Sequence, residues 1–202
     1  MPSRGKHPIE YGSVGVWGAL PHSHTPTLIL GLGNPLLGDD GVGWRVLEQL
    51  KNKVTNSEFR IPDFEFGCHA GGGLSLMERL VGYERAILID ALATDHGPPG
   101  TVHHFALEAM TNPAAGHLSS SHDTTLQNAL AAGRELGVEL PREIVLVAIE
   151  SPRVWDFAPE LSPRVADAVP RAVVIVQEIL RRWTTPTSNL QSLRDASQSP
   201  ID

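Results

Sequence analysis

The sequence predicts an α/β fold, a three-layer sandwich in which a mostly parallel, twisted sheet of about five strands has helices on both faces. Two observations lead to this prediction. Short apolar runs of strand length alternate with segments whose apolar residues recur every three to four positions. The strongest of these runs are continuous rather than alternating, which is typical of strands buried on both faces. We expect a phosphorylase/hydrolase-like arrangement with room for one antiparallel strand.

The first half of the chain alternates twice between strand and helix. An apolar strand at 28–32 ends in glycines, and a helix follows at about 39–53 with an acid at its start. A weaker strand at 63–67 leads into a CHAGGG loop, and the apolar spacing of 74–81 predicts a short helix.

The second half continues the same alternation. The segment RAILID, residues 85–90, is an apolar strand that ends in a carboxylate, and a Pro-Pro-Gly turn separates it from a β-branched strand at 101–106. We expect these two strands to form an antiparallel pair. A helix to about residue 137, the apolar strand EIVLVAI at 143–149 and a long amphipathic helix opened by Ser162-Pro163 complete the fold.

Composition divides the chain into one domain and two extensions. Residues 27–183 carry the predicted elements and form a single α/β domain of ordinary length. Residues 1–26 mix Pro, Gly and His without the apolar core of a secretory signal, so we expect a flexible extension. Residues 184–202 are rich in Ser, Thr, Pro and Gln and are predicted to be disordered. No apolar run approaches the roughly 20 residues of a membrane span.

Charge and cysteine content narrow the classes of partner. Twenty-three acidic residues against sixteen basic ones give a net charge of −7, which disfavours a nucleic-acid partner. The single cysteine, Cys68, excludes an internal disulfide and favours a reducing, cytoplasmic location. A metal bound by this chain would therefore need oxygen and imidazole ligands. Cys68 itself is predicted to be a small buried apolar residue rather than a nucleophile.

Candidate site residues follow the strands, because sites in open α/β sheets form outside the carboxyl ends of the strands. The polar residues in those positions are Asn34, Asp39, Asp40, His69, Asp90, His117, His122, Asp123 and Glu150. In the Asp39-Asp40 pair, one acid can cap a helix while the other points outward. Asp90 ends an apolar strand, so its carboxylate must find donors or a cation.

Two carboxylates and one imidazole, Asp40, Asp90 and His122, would make a partial divalent-metal site with positions left open for water or substrate. Such a ligand set suits nickel, zinc or non-haem iron about equally. Helix capping by Asp40 and a surface position for His122 are the alternatives at this point.

The segment GLGNPLLGDDGVG, residues 31–43, closely resembles the N-terminal signature of the hydrogenase maturation endopeptidases, GxGNxLxxD(D/E)GxG. The similarity continues through the CHAGGG loop, the Asp of ILIDA, the PPGTV turn and the His of SSHD. It spans residues 27–183 and so covers the whole predicted domain.

The resemblance implies one specific cut, which removes the C-terminal extension of a nickel-iron hydrogenase large-subunit precursor after nickel insertion. The family's metal-contacting positions correspond to Asp40, Asp90 and His122. Nickel would arrive on the substrate, bound by the thiolates of that protein. Asp40 is the candidate base for an attacking water, in an aspartic-type or metal-dependent reaction. We expect Asn34, Gly71 and Gly72 to position the substrate.

Three other functions compete with this one. A non-catalytic maturation factor could sense the metal-loaded hydrogenase without cutting it. GLGNP also resembles the start of peptidyl-tRNA hydrolase, but the histidine of that family's next segment is absent and the net charge is unfavourable for tRNA. The GxG after the first strand is weak evidence for a dinucleotide site, because two acids at the helix start would repel a pyrophosphate.

Overall fold

The structure is a computed structural model that describes residues 27–56, 64–94, 97–109, 121–151, 154 and 157–184, with the backbone only for 55–56, 109 and 121–125. The predicted extension 1–26 and the predicted tail beyond Thr184 lie outside the described residues. Thr184 itself is the last residue of the final helix.

The elements follow the predicted alternation of strands and helices. In chain order they are β1 (Thr27–Leu32), α1 (Val42–Asn56), β2 (Phe64–His69), α2 (Gly73–Leu80), β3 (Arg85–Leu92), β4 (Val102–Ala106), α3 (Ser121–Glu135), β5 (Glu143–Glu150) and α4 (Pro163–Thr184). Short 3₁₀ turns occur at Gly38–Gly41 and Leu107–Ala109. The helix predicted from about residue 39 therefore begins as a 3₁₀ turn that contains both Asp39 and Asp40.

The five strands form one sheet in the order β2-β1-β3-β5-β4. All neighbouring pairs are parallel except β4 and β5, which are antiparallel. This confirms the mostly parallel five-stranded sheet with one antiparallel strand. The expected pairing of residues 85–90 with 101–106 is wrong, because the chain passes the end of β5 before β4 begins. There the Gly100 amide donates to the Glu150 carbonyl, and the Glu150 amide donates to the Thr101 carbonyl.

Alternation along the strands gives the sheet two apolar faces, each covered by two helices. Ile87, Ile89 and Ala91 of β3 belong to the core that α1 and α4 cover. Leu88 and Leu92 belong to the core on the opposite face, which Leu126 and Leu130 of α3 and the buried side of α2 complete. Each buried Leu, Ile or Val contributes about 1.5–3 kcal/mol to folding. The arrangement is the predicted three-layer sandwich.

The strand order places a topological switch between β1 and β3. The chain leaves β1 through α1 toward β2 on one side, whereas β3 leads toward β5 and β4 on the other. Ligand crevices in such sheets lie at this switch, outside the carboxyl ends of the strands. Gly43 brings α1 close to both strands, because a Cβ there would lie 2.3 Å from the Ile89 carbonyl oxygen and 2.7 Å from that of Leu32.

Candidate functional site

Asp40 lies in the 3₁₀ turn that follows β1, and the backbone of that turn aims its carboxylate back at the preceding residues. Its Oδ2 accepts a 2.6 Å hydrogen bond from the Asn34 amide. The Asn34 side chain in turn accepts from the Leu36 amide at 3.0 Å, which closes an Asx turn. Gly33 has φ +96°, and a Cβ there would lie 1.9 Å from the Asp40 carbonyl oxygen. Asn34 therefore builds the turn that holds Asp40; its predicted role in substrate positioning stays a prediction.

Asp39 has a different environment from its neighbour. It is fully buried, and its carboxylate accepts hydrogen bonds from the Ser162 amide at 2.6 Å and the Ser162 hydroxyl at 2.9 Å. Ser162 immediately precedes α4, so Asp39 binds the start of a helix distant in sequence rather than the helix that follows it. The sequence predicts that one acid of the pair caps the helix that follows it, whereas the structure shows Asp39 bound to Ser162, just before α4.

Asp90 lies near the end of β3 and is 5% exposed. Its Oδ1 accepts a 2.8 Å hydrogen bond from the Ala91 amide. The last β1–β3 register pair is Gly31 with Ile89, so Asp90 comes immediately beyond it, at the switch point. Alternation with Leu88 and Leu92 puts Asp90 on the face of the sheet that α2 and α3 cover.

His122 is the second residue of α3, within the described backbone. Because α3 leads back to the start of the parallel strand β5, its first turn lies at the carboxyl edge of the sheet. The packing of Leu126 and Leu130 places the helix on the same face as Asp90. Asp40 therefore follows β1, Asp90 lies near the end of β3 next to the switch point, and the His122 backbone lies at the same edge of the sheet. Among side chains that the structure describes, which exclude His122, no group of three His, Cys, Asp or Glu is arranged for a metal.

The loop after β2 adds a polar contact at the same edge of the sheet. His69 Nε2 lies 3.1 Å from the Ser75 hydroxyl, which donates to the Gly72 carbonyl at 3.2 Å. Gly71 lies directly against both side chains. These contacts hold the backbone of Gly71 and Gly72 at the N-terminus of α2; their proposed contact with substrate stays a prediction.

The expectation that Cys68 is buried is wrong. Its side chain is exposed because β2 is the last strand at its end of the sheet, although Cys68 shares the face of Phe64 and Phe66, which pack against the core. Partial desolvation by neighbouring groups nevertheless raises the pKa of the Cys68 thiol above its ordinary value, while the nearby Lys51 ammonium opposes the shift. At neutral pH the group is a thiol, which is the unreactive form.

Glu150 is a buried acid to which the sequence assigned no role. It ends β5 and is 2% exposed. It accepts hydrogen bonds from the Thr94 amide at 3.2 Å and the Thr94 hydroxyl at 2.5 Å, and His103 Nε2 lies 3.4 Å from its Oε1. The sequence contains a signal for this residue, because Glu150 is an acid at the end of an apolar strand, as Asp90 is an acid near the end of β3.

None of the helices that the structure describes has the length and apolar character needed to cross a membrane.

A family model described as hydrogenase maturation protease matches residues 45–179, more than half of the chain. Among curated proteins, the hydrogenase expression/formation protein HupD of Thiocapsa roseopersicina is 28% identical over 160 residues, covering 77% of this chain and 68% of HupD. HoxM of Azotobacter vinelandii is 30% identical over 155 residues, covering 76% of this chain and 71% of HoxM.

Solved structures agree with the sequence matches. The hydrogenase maturating endopeptidase HybD from Escherichia coli superposes with a TM-score of 0.63 at 26% identity, covering 79% of this chain and 94% of HybD. HybD from Thermococcus kodakarensis, a [NiFe] hydrogenase maturation protease, gives a TM-score of 0.57 at 28% identity, with 77% and 99% covered. The α/β sandwich, the sequence matches and the family model agree, and this chain belongs to the hydrogenase maturation protease family.

Proposed function

We propose that this protein is an endopeptidase that removes the C-terminal extension of a nickel-iron hydrogenase large-subunit precursor once nickel has been inserted. The observation that carries the proposal is the position of Asp40 and Asp90. Asp40 follows β1 and Asp90 lies near the end of β3, and these two strands flank the switch point, where open α/β sheets bind their ligands. Family membership makes a hydrogenase the expected substrate.

Nickel in this proposal belongs to the substrate. Asp40, Asp90 and His122 would contribute two carboxylates and one imidazole, which is a set that leaves coordination positions open. Cysteine thiolates of the precursor would fill the remaining positions, since Cys68 is exposed on β2 and its thiol is protonated at neutral pH. A precursor without nickel would lack the ion that Asp40 and Asp90 contact, so cleavage would follow metal insertion.

Asp40 is the proposed general base. In this mechanism water attacks the carbonyl carbon of the scissile peptide bond while the Asp40 carboxylate takes a proton from that water. The carbon–nitrogen bond then breaks, and the leaving amine takes up a proton. The hydrogen bond from the Asn34 amide to Asp40 Oδ2 keeps the carboxylate oriented during the attack. The products are a shortened large subunit and a free C-terminal peptide.

The test is to mix the purified protein with nickel-loaded and with nickel-free precursor and to weigh the large subunit. We expect a loss of mass equal to one C-terminal peptide with nickel-loaded precursor only. Asp40→Asn should slow this loss by about 10²-fold or more. Glu48→Gln is the matched control, because Glu48 is an acid on the exposed surface of α1, and it should cleave at the wild-type rate.

Each alternative has its own outcome in this test. A stable complex at unchanged mass would identify a non-catalytic metal-sensing factor. Equal cleavage of nickel-loaded and nickel-free precursor would contradict nickel recognition. Normal cleavage by Asp40→Asn would exclude Asp40 as the base.

A further inference from the structure

The signature turn is bound along its length by one segment between β5 and α4. The Leu36 carbonyl accepts from the Ala158 amide at 3.1 Å, and the Gly38 amide donates to the Ala158 carbonyl at 2.6 Å. Leu37 and Ala158 form a parallel bridge. These bonds end at the Asp39–Ser162 contact, which we name the clasp. The turn that carries Asp40 is therefore docked on a segment more than a hundred residues away.

In the clasp, a side chain of the signature adds two hydrogen bonds to this backbone docking. Asp39 is fully buried, and its two oxygens each accept one hydrogen bond from Ser162. The carboxylate also faces the N-terminus of α4, where the helix dipole stabilises a negative charge. Charge-assisted hydrogen bonds of this kind are about twice as strong as neutral ones and demand a narrow geometry.

Asp39 and Asp40 are consecutive residues of one 3₁₀ turn, which advances by about 120° per residue. When Asp39 points inward to Ser162, the geometry of the turn directs Asp40 away from it, toward Asn34. A change at Asp39 would free this turn to rotate, and the Asp40 carboxylate would move with it. Misplacement of a reacting group by about 1 Å can cost about 10²-fold in rate.

We propose that Asp39 is a positioning residue, which acts through its clasp with Ser162 to orient the Asp40 carboxylate at the switch crevice. This inference rests on the proposed function of Asp40. The two adjacent acids of the signature then have different roles. Asp39 holds the turn against the start of α4, and Asp40 faces the substrate.

The test compares variants that weaken the clasp by different amounts. Asp39→Ala removes both acceptors, and its kcat for nickel-loaded precursor should fall by about 10²-fold with KM changed less than about threefold. Asp39→Asn keeps an acceptor for the Ser162 amide and should restore most of that rate. Ser162→Ala loses only the hydroxyl bond and should cost less than Asp39→Ala.

Val165→Ala is the matched control, because Val165 is fully buried in the first turn of α4 and its apolar side chain supplies no hydrogen bond to the clasp. It should lower Tm as Asp39→Ala does while leaving kcat at the wild-type value. If Asp39→Ala lowers Tm and keeps kcat, Asp39 is only a structural residue and the inference is overturned.

A second readout needs no activity. The Asn34 amide is bonded to the Asp40 carboxylate, so its hydrogen exchange reports whether Asp40 is held in place. Exchange should accelerate at least tenfold in Asp39→Ala and stay at the wild-type rate in Val165→Ala; unchanged protection in Asp39→Ala would overturn the inference. If the wild-type protein leaves nickel-loaded precursor intact, the proposed function is wrong. Hydrogen exchange at the Asn34 amide still tests, independently, whether Asp39 positions Asp40.

Discussion

Two regions at the carboxyl edge of the sheet each contain a pair of acids, and the pairs are organised in the same way. The signature turn after β1 contains Asp39 and Asp40. In the neighbouring strands, Asp90 lies near the end of β3 and Glu150 is the last residue of β5. In each region one acid, Asp39 or Glu150, accepts hydrogen bonds from both the amide and the hydroxyl of one distant residue. The other acid, Asp40 or Asp90, accepts a hydrogen bond from the backbone amide of a residue nearby in sequence.

The difference lies in what each anchoring acid stabilises. Asp39 binds the start of α4 and thereby the turn that carries Asp40, its own neighbour. Glu150 binds Thr94, at the start of the chain segment that passes the end of β5 toward β4. Residue type and position at a sheet edge therefore do not distinguish an anchoring acid from a candidate reactive acid. The two kinds of acid differ in their hydrogen-bond donors, because an anchoring acid accepts from a residue that is distant in sequence.

The largest expected effect concerns Asp90, the candidate reactive acid of the second region. If it contacts nickel directly, Asp90→Asn should lower kcat/KM for nickel-loaded precursor by more than the 10- to 100-fold that changes to supporting residues typically cost. Cleavage is followed by mass spectrometry, and circular dichroism checks that the variant is folded. A variant that cleaves at the wild-type rate would make Asp90 an anchoring acid like Glu150.

The next effect tests the backbone of the signature turn. Gly33→Ala should destabilise the fold by about 1–3 kcal/mol through its positive φ, and the clash with the Asp40 carbonyl should displace the turn and reduce cleavage. Gly137→Ala is the control, since Gly137 has φ +74° but nothing within 4 Å of the added Cβ. Urea unfolding should show a loss for both variants. Equal cleavage by both would contradict a role for the turn in catalysis.

Glu150→Gln should lower the stability of the fold and leave the cleavage rate nearly unchanged. The neutral amide weakens the hydrogen bonds to Thr94 and leaves His103 without its carboxylate, so we expect a loss of about 1.5–3 kcal/mol in the free energy of unfolding. At temperatures well below unfolding, kcat should stay within about threefold of wild type, because Glu150 anchors a loop. A large fall in kcat at unchanged stability would instead make Glu150 part of the reaction.

The smallest effect is expected for Cys68. It lies near the end of β2, and its thiol is at the edge of the sheet where the other two regions have acids. Cys68→Ser should leave cleavage unchanged. Because the pKa of the Cys68 thiol is raised, its thiolate fraction at a given pH is lower than that of a free cysteine, so iodoacetamide should react more slowly. The rate should rise as the pH increases through the raised pKa. Lys51→Ala should slow alkylation further, since Lys51 lowers this pKa; faster alkylation would contradict the assigned cause.

The fold class and the order of the elements could be predicted from local sequence patterns. Apolar periodicity depends on neighbours along the chain, so β1, β3 and β5 were recognisable as buried strands and α4 as an amphipathic helix. The strand ends also located candidate site residues, because any polar group that follows a buried strand must emerge at the edge of the sheet. Asp40 and Asp90 are both predicted as candidate site residues on this ground alone.

Three properties became visible only in the folded chain: the strand with which β4 pairs, the exposure of Cys68, and which acid of each pair is an anchor. These properties depend on contacts between residues far apart in sequence, such as Asp39 with Ser162 and Glu150 with Thr94. Hydrogen-bond partners at such separations leave no periodic pattern along the chain. The adjacent acids of the signature look alike in sequence and differ in the structure, because only folding brings the start of α4 to one of them.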